Sequence, residues 1–181
     1  MIKLFFIKIL TLLILAIFPF VSFAFNESHL EKLKSLNECS QCDLISAILT
    51  KKSLKNAVLN NANLSKANLT DTKLHRANLQ EVNLSGADLS QANLTNANLT
   101  NANLITAKLR FSQLYNANLS KANLTNADFS GAKLVSVNLI GASLVNTNFT
   151  NVNLTDADLT NAEMRDVNTD NAIFCRTKMP W

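Results

Sequence analysis

Large apolar residues recur at every fifth position of this chain, and that period constrains the fold more than any other feature. Stepping by five from Leu44 to Phe174 reaches 27 positions, of which 22 are leucine and the others are Phe129, Phe149, Met164, Thr169 and Phe174. A strand repeats about every two residues and a helix about every 3.6, so neither alone accounts for a period of five. With three glycines and two prolines, the chain must turn by means other than ordinary hairpins.

A small residue, usually alanine, lies two positions before each large one. In a short extended segment the small and large side chains point inward, while the Asn or Asp between them points outward. The next two residues must turn a corner, and successive coils then pair as parallel strands about 4.8 Å apart. The pattern therefore predicts a solenoid whose interior is filled by alternating Ala and Leu layers. Lys52 at a small position and Thr169 at a large one predict weaker coils near the ends.

The frame A-(N/D)-L-x-x, seen in ANLTNANLTNANL, ANLSKANLTNADF and ADLTNAEM, runs over residues 42–179. It resembles the pentapeptide-repeat superfamily. That resemblance implies an all-β fold, a right-handed quadrilateral parallel β-helix with four repeats in each coil. The flanking segments HLEKLKSLNECSQCDL and AIFCRTKMP are similar to the helix, the CxxCDL start and the FCxTxMP end of small exported bacterial members.

The first segment, residues 1–24, is typical of a secretory signal peptide. It has two lysines, a long apolar stretch and small residues leading to a cleavage site after Ala24. The alternative is an uncleaved membrane anchor, because residues 9–25 carry no charge. Removal of the two lysines lowers the formal net charge from +4 to +2. The remaining charge does not indicate a nucleic-acid partner.

Three further segments follow the predicted signal peptide. Residues 25–41 are expected to form an N-terminal capping helix and the CxxC segment, residues 42–179 the repeat domain, and residues 180–181 a short tail. A cap is needed because an open coil exposes apolar side chains and unpaired strand groups. Three leucines at a spacing of three residues are expected to cover the first coil, namely Leu30, Leu33 and Leu36.

Cys39 and Cys42 form a CxxC motif with three interpretations. It suits a zinc half-site, a redox motif or a local disulfide, and Cys42 also suits an inward small position of the repeat. The missing second metal pair and the predicted export favour the disulfide. Cys175 lies six to seven coils away, far beyond bridging distance of Cys42. It is therefore expected to be free or to pair between molecules.

No catalytic, cofactor-binding or metal site is predicted. The two histidines, His29 and His75, have no partner at a recurring spacing and are expected to be solvated. Four outward acids are assigned to positions where the repeat takes Asn or Asp, namely Asp88, Asp128, Asp156 and Asp158. The leading function is therefore a non-enzymatic exported scaffold for a protein partner of unknown identity. Its alternatives are a DNA-mimic protein that binds and protects topoisomerases and, behind it, an enzyme.

One departure from the repeat marks a candidate partner patch. Arg110, Phe111 and Tyr115 occupy outward positions within LITAKLRFSQLYN, and Val135 follows Tyr115 by twenty residues. Four repeats per coil would make Phe111, Tyr115 and Val135 adjoin across one corner, and aromatics with arginine are enriched at binding sites. The alternative is drift at tolerant surface positions, with Phe111 lying over the bare backbone of Gly131. A membrane is expected as a partner only if the signal segment is retained, and a coil end is a candidate homodimer surface.

Overall fold

The computed structural model describes residues 26–181, so the predicted signal peptide lies outside the described residues. One helix, α1 (Glu27–Leu36), precedes a long series of turns and parallel β-bridges. Within the described part of the chain no bridge extends into a longer strand. No helix between residues 26 and 181 is both long and apolar enough to cross a membrane.

The bridges define coils of twenty residues. The residue between the small and the large residue of each pentapeptide is called the middle residue. Each middle residue pairs in parallel with the residue twenty positions later, in an unbroken series from Glu38–Val58 to Asp158–Lys178. Twenty residues are four pentapeptides, which is the number per coil that the family resemblance implies. The bridges begin at Glu38, four residues before the position at which the sequence pattern places the first repeat.

The interior is a stack of large and small apolar side chains. Every large position from Leu44 to Leu159 is buried, and so are the alanines that alternate with them. Phe129 and Phe149 occupy successive levels of one column, with ring centroids 5.5 Å apart. Each coil therefore buries its apolar residues mainly against the coils on either side.

Residues in the left-handed conformation make the corners. The angle φ lies between 53° and 69° at every fifth residue from Gln41 to Arg176. All of these residues except Asp166 sit within a turn in which the N–H of the following small residue donates to the carbonyl of the preceding large residue, as in Ala117 N–H to Leu114 O at 3.1 Å. Ten of these corner residues are Asn, and the three glycines of the chain are all among them. Asn and Gly adopt positive φ at the lowest cost, so the chain turns without glycine-rich loops.

The Asn or Asp at the middle position satisfies a backbone group that no coil can reach. Along the rod, four of the five N–H groups in a pentapeptide close a turn or bond to a neighbouring coil. The fifth belongs to the residue just before the left-handed one, which we call the first corner residue, and it points to neither. It donates to the side-chain oxygen two residues earlier, as in Ser120 N–H to Asn118 Oδ1 at 3.0 Å. All seventeen Asn and Asp residues at middle positions from Asp43 to Asn168 accept this bond.

Helix α1 covers the first coil with fewer leucines than expected. Asn26 caps its N-terminus by accepting from Ser28 N–H, and Asn37 ends it with φ 57°. Leu33 is buried and Leu30 packs against the core, but Leu36 is 61% exposed. The reason is geometric, because a spacing of three falls short of one helical turn and Leu36 is rotated away from Leu30 by about 120°.

His29 contradicts the expectation of a solvated histidine. Its Nδ1 accepts a hydrogen bond from Asp43 N–H at 3.0 Å, while Asn26 N–H donates to Asp43 O at 3.2 Å. These two bonds join the start of α1 to the first coil. The histidine therefore acts as an acceptor for a backbone group at the open end of the solenoid.

The last coil is the least protected part of the rod. Met164, Val167 and Phe174 occupy inward positions there but are only partly buried, since no further coil follows within the described residues. Lys52 and Thr169 are exposed although their positions in the repeat are inward. The expectation of more rapid opening at the two ends stays a prediction.

Substitution of Asn118 tests the role of the middle side chain. Asn118→Ala removes the acceptor of Ser120 N–H, and we expect the free energy of unfolding to fall by about 1 kcal/mol. Asn118→Asp keeps an acceptor oxygen and should cost less. The control is Gln113→Ala in the preceding pentapeptide, whose middle side chain accepts no such bond. Urea unfolding followed by circular dichroism measures all three, and equal losses for Asn118→Ala and Gln113→Ala would contradict the assignment.

Candidate interaction surfaces

The four residues of the predicted patch lie on one side of the rod and the two corners that bound it. Arg110 and Phe111 belong to the turn closed by Ser112 N–H to Leu109 O, whereas Tyr115 belongs to the next turn. The side 112–114 therefore separates Phe111 from Tyr115, and the two do not adjoin across one corner. Val135 occupies the same corner as Tyr115 in the following coil, where its carbonyl accepts from Asn116 N–H at 3.1 Å.

Phe111 is the one aromatic among the left-handed corner residues of the described chain. Its φ is 57° and its side chain is 59% exposed. The ring lies over Gly131 in the next coil, so closely that a Cβ on Gly131 would be 2.6 Å from two ring carbons. Positive φ costs a bulky residue about 1–2 kcal/mol, and the fold itself gains little from a ring that is mostly in solvent. Such an outlier is a reason to look for a function.

Arg110 is held beside the phenylalanine ring. Its guanidinium carbon is 5.7 Å from the ring centroid of Phe111, within the range of a cation–π contact. Its Nε lies 3.7 Å from the carboxylate of Asp128 in the next coil. The patch thus presents an aromatic ring with a positioned cation next to it.

The patch coincides with a break in the pattern of corner hydrogen bonds. Arg110, Tyr115 and Val135 follow the middle residues Lys108, Gln113 and Lys133, none of which is Asn or Asp. Their N–H groups consequently have no acceptor among the described residues. This face therefore lacks, in two successive coils, the bond that a middle Asn or Asp provides, as do the corners at Thr50 and His75.

His75 lines a shallow groove on the same side of the rod, nearer the N-terminus. The groove has a volume of about 410 Å³ and a polar lining formed with His75 by Asp71, Thr72, Lys73, Gln91, Asn93 and Gln113. The histidine is half-buried rather than solvated, and its Nδ1 is buried without a hydrogen-bond partner among the described residues. Stacking of the coils encloses this ring because it occupies a corner between neighbouring levels.

Cys39 and Cys42 form the predicted local disulfide, and Cys42 also takes the inward position predicted for it. The structure joins Cys39 and Cys42 in a disulfide, and both side chains are buried, so Cys42 also fills an inward small position. Cys175 is free and exposed in the last coil. Across residues 26–181 no three potential metal-ligating side chains come together.

The acids considered as candidates for chemistry have structural partners. Asp88, Asp128 and Asp158 each accept the N–H of the residue two positions later, in the manner of the middle asparagines. Asp156 differs from the sequence assignment, because it occupies a left-handed corner and pairs with Arg176 in the last coil. The hydroxyl of Thr160 and the ammonium group of Lys178 lower the pKa of Asp158 to about 2.

Two exposed isoleucines were missed by the sequence analysis. Ile48 is 72% exposed and Ile173 is 51% exposed. Both occupy middle positions, where the repeat favours Asn or Asp. The replacement of Asn by a large apolar residue at that position is the signal that would have found them.

Comparison with known proteins identifies the repeat. A family model described as pentapeptide repeats matches in eight copies, over residues 38–76, 72–110, 103–139, 112–151 and 132–168. The matched region covers well over half of the chain and confirms the resemblance seen in the sequence. No curated protein matches the chain.

Several solved structures are similar. A pentapeptide repeat protein from the thylakoid lumen of Arabidopsis thaliana is 31% identical, with 55% of this chain and 69% of that chain covered and a TM-score of 0.53. Rfr23 from the cyanobacterium Cyanothece 51142 is 26% identical, with coverage of 81% and 97% and a TM-score of 0.36. QnrB1, a plasmid-mediated fluoroquinolone resistance protein, is 17% identical, with coverage of 72% and 76% and a TM-score of 0.36.

The strain at Phe111 can be measured with a double-mutant cycle. Phe111→Asn should leave the free energy of unfolding unchanged or raise it by up to about 1 kcal/mol, because Asn tolerates positive φ. Gly131→Ala should lower it by more than 1 kcal/mol, roughly the cost of positive φ plus the clash with the ring. In the double variant the clash is absent, so the free energy of unfolding should fall only by the cost of positive φ at Ala in place of Gly131. A loss above about 1 kcal/mol for Phe111→Asn alone, measured by urea unfolding, would show instead that Phe111 is a packing residue.

Proposed function

Because the chain belongs to the pentapeptide-repeat family, we propose that it is an exported, non-enzymatic scaffold that binds another protein through the face carrying Phe111. The observation that carries this proposal is a solvent-exposed aromatic ring held at positive φ, with an arginine beside it and a glycine beneath it. Aromatic and arginine side chains, Phe among them, are enriched at the cores of protein interfaces. Phe111 has little reason to occupy this corner for stability alone.

The scaffold is proposed to be the right-handed quadrilateral parallel β-helix that the repeat implies. Parallel bridges at a spacing of twenty residues support it, as do four turns per coil with left-handed corner residues. In such a rod the coil and the side on which an outward residue lies fix its position on the surface. A binding patch can therefore be built by replacing a few side chains without moving the backbone.

The absence of a catalytic role is proposed from the structural bonds that most of the reactive side chains make. His29 accepts from the backbone of the first coil, and Asp88, Asp128 and Asp158 accept corner N–H groups. The buried cysteines are joined to each other. Groups already engaged in these bonds are poor candidates for acids, bases or nucleophiles.

A DNA mimic that binds topoisomerases fits the surface less well. Such a protein would present an acidic rod, whereas Lys51, Lys55, Lys73 and Arg76 give the first two coils an excess of positive charge. This charge would repel a protein surface that is built to bind the phosphates of DNA.

Export is proposed from residues 1–24. Fused to a reporter that is active only outside the cytoplasm, this segment should direct secretion, and the mature protein should begin at Phe25. Intact mass spectrometry of the purified protein checks the cleavage, and the mass gained on reduction and alkylation checks the Cys39–Cys42 bridge. An intact N-terminus would show that the segment is an anchor, and alkylation of all three cysteines without reduction would exclude the bridge.

The partner surface is tested by capture from an envelope fraction. We expect Phe111→Ser combined with Tyr115→Ser to lower recovery of the bound protein at least tenfold, because the aromatic anchors are lost. Ile140→Ser removes an exposed apolar residue from the opposite corner of the rod and serves as the control. Recovery that is unchanged in a double variant with native circular dichroism would exclude the patch, and recovery of a topoisomerase would favour the DNA mimic.

The open C-terminal coil is the proposed site of homodimerisation. Val167 and Phe174 are only partly buried there, and a second copy would cover them. Sedimentation velocity on the same preparations should show a dimer that Thr169→Lys converts to a monomer, since Thr169 occupies an inward position of that coil. A monomeric wild-type protein would exclude this end as a dimer surface.

A further inference from the structure

Five cations crowd one side of the first two coils. Lys51, Lys52 and Lys55 lie in one coil, and Lys73 and Arg76 lie in the next; together they are called the basic end. Ser53 and Lys73 form a parallel bridge, and Asn56 N–H donates to His75 O, so the two runs are stacked level on level. Asp71 is the one acidic residue between residues 51 and 76.

No residue of the basic end has a carboxylate within 4 Å among the described residues. The other end of the rod is built differently. There, two cations of the last coil pair with acids one coil below, in Arg176–Asp156 and Lys178–Asp158. Cross-coil pairing is thus available to this fold, but the basic end does not use it. Unpaired like charges repel one another and do not stabilise the coils, so they indicate an anion outside the chain.

Exposed apolar residues accompany these cations. Leu36 at the end of α1 is 61% exposed, and Ile48, three residues before Lys51, is 72% exposed. A cavity of about 430 Å³ lies between α1 and the first coil, with the leucines 33, 49 and 54 among its lining residues and Lys52 beside them. Lys52 holds an inward small position, but its side chain is exposed because a charge is costly inside a leucine core. The lining of this cavity is mixed, with Lys34 and Lys52 beside the leucines.

We propose that the basic end binds the surface of a membrane that contains anionic phospholipids. Lysines are compact cations that attract lipid phosphates, each contributing about fivefold to membrane affinity. Exposed leucine and isoleucine side chains can enter the boundary between headgroups and acyl chains.

A nucleic acid fits the basic end less well than a lipid surface. Residues 44–76 contain no Phe, Tyr or Trp on which a base could stack. The accompanying exposed side chains are aliphatic, which suits an acyl-chain boundary rather than a base edge. The experiment below separates binding to nucleic acid from binding to lipid.

The test compares the full chain on two kinds of vesicle. One kind contains phosphatidylcholine alone, and the other an equimolar mixture with phosphatidylglycerol. The readout is the ratio of the two partition coefficients from vesicle sedimentation, so any binding by the apolar segment 9–25 to both kinds cancels. We expect the protein to prefer the anionic vesicles and to lose that preference in high salt, because salt screens exposed charges.

A pair of triple variants separates this surface from net charge. Lys51→Gln, Lys55→Gln and Lys73→Gln should lower the ratio roughly a hundredfold, at about fivefold per lysine. Replacement of three exposed lysines on other sides by Gln, at 66, 108 and 121, removes the same charge and should lower the ratio less than fivefold, roughly one lysine's worth. Glutamine already occupies corner and middle positions at Gln91 and Gln113, so both variants should fold, which circular dichroism checks.

Three results would overturn the proposal. The first is a wild-type protein that binds both kinds of vesicle equally. The second is an equal loss in the two triple variants, which would reduce the effect to net charge. The third is binding to a short duplex DNA that depends on Lys51, Lys55 and Lys73 without any preference for anionic vesicles, which would assign the basic end to nucleic acid.

Discussion

The structure depends on one backbone N–H in every pentapeptide that only a side chain can accept. The first corner residue of each pentapeptide directs its N–H away from the coils above and below, and a buried or half-buried donor without an acceptor destabilises a fold by about 1–3 kcal/mol. The side chain of Asn or Asp two residues earlier supplies the acceptor at 2.9–3.3 Å. The same residue contributes to the parallel bridge through its backbone. Its polarity is thus required by the corner and is more than a preference for solvent.

The regular surface and the binding surfaces follow from this constraint. Where the middle residue is Asn or Asp, its side chain is occupied and the face is neutral and uniform. Where it is Lys, Gln or Ile, the corner loses its acceptor and the side chain is available for contacts outside the rod. Phe111 lies in a stretch of this second kind, and Lys73 of the basic end and its neighbour Ile48 are themselves such replacements. Function in this fold is therefore expected where the repeat is least regular.

Much of the fold could be predicted from the sequence because the period of five is unbroken. Inward burial of Leu and Ala follows from the alternation of side chains in an extended segment, and the exposure of Lys52 follows from its charge. The four-repeat coil does not follow from the period, since three or five corners would have the same spacing; it came from the family resemblance. The left-handed corners could have been inferred, because the three glycines and ten asparagines share one position in the repeat.

The candidate site was harder to predict because it depends on contacts between coils. The sequence placed Phe111 above Gly131, but it did not show that the side 112–114 separates Phe111 from Tyr115. His29 lies outside the repeat, so only the packing of α1 on the first coil reveals the N–H that it accepts. Leu36 was assigned to the core because it follows Leu33 by three residues, but residues at that spacing drift progressively away from one face of a helix. In each case the local sequence pattern could not predict a contact between two coils or between α1 and a coil.

Amide hydrogen exchange resolved by residue tests the central constraint most directly. Within the middle coils, Ser120 and Thr125 follow Asn118 and Asn123, whereas Tyr115 and Val135 follow Gln113 and Lys133. All four N–H groups belong to first corner residues, so they differ chiefly in whether a side chain accepts them. After correction for intrinsic rates, Ser120 and Thr125 should exchange at least tenfold more slowly than Tyr115 and Val135. Equal protection of the two pairs would contradict the claim that the middle Asn completes the corner.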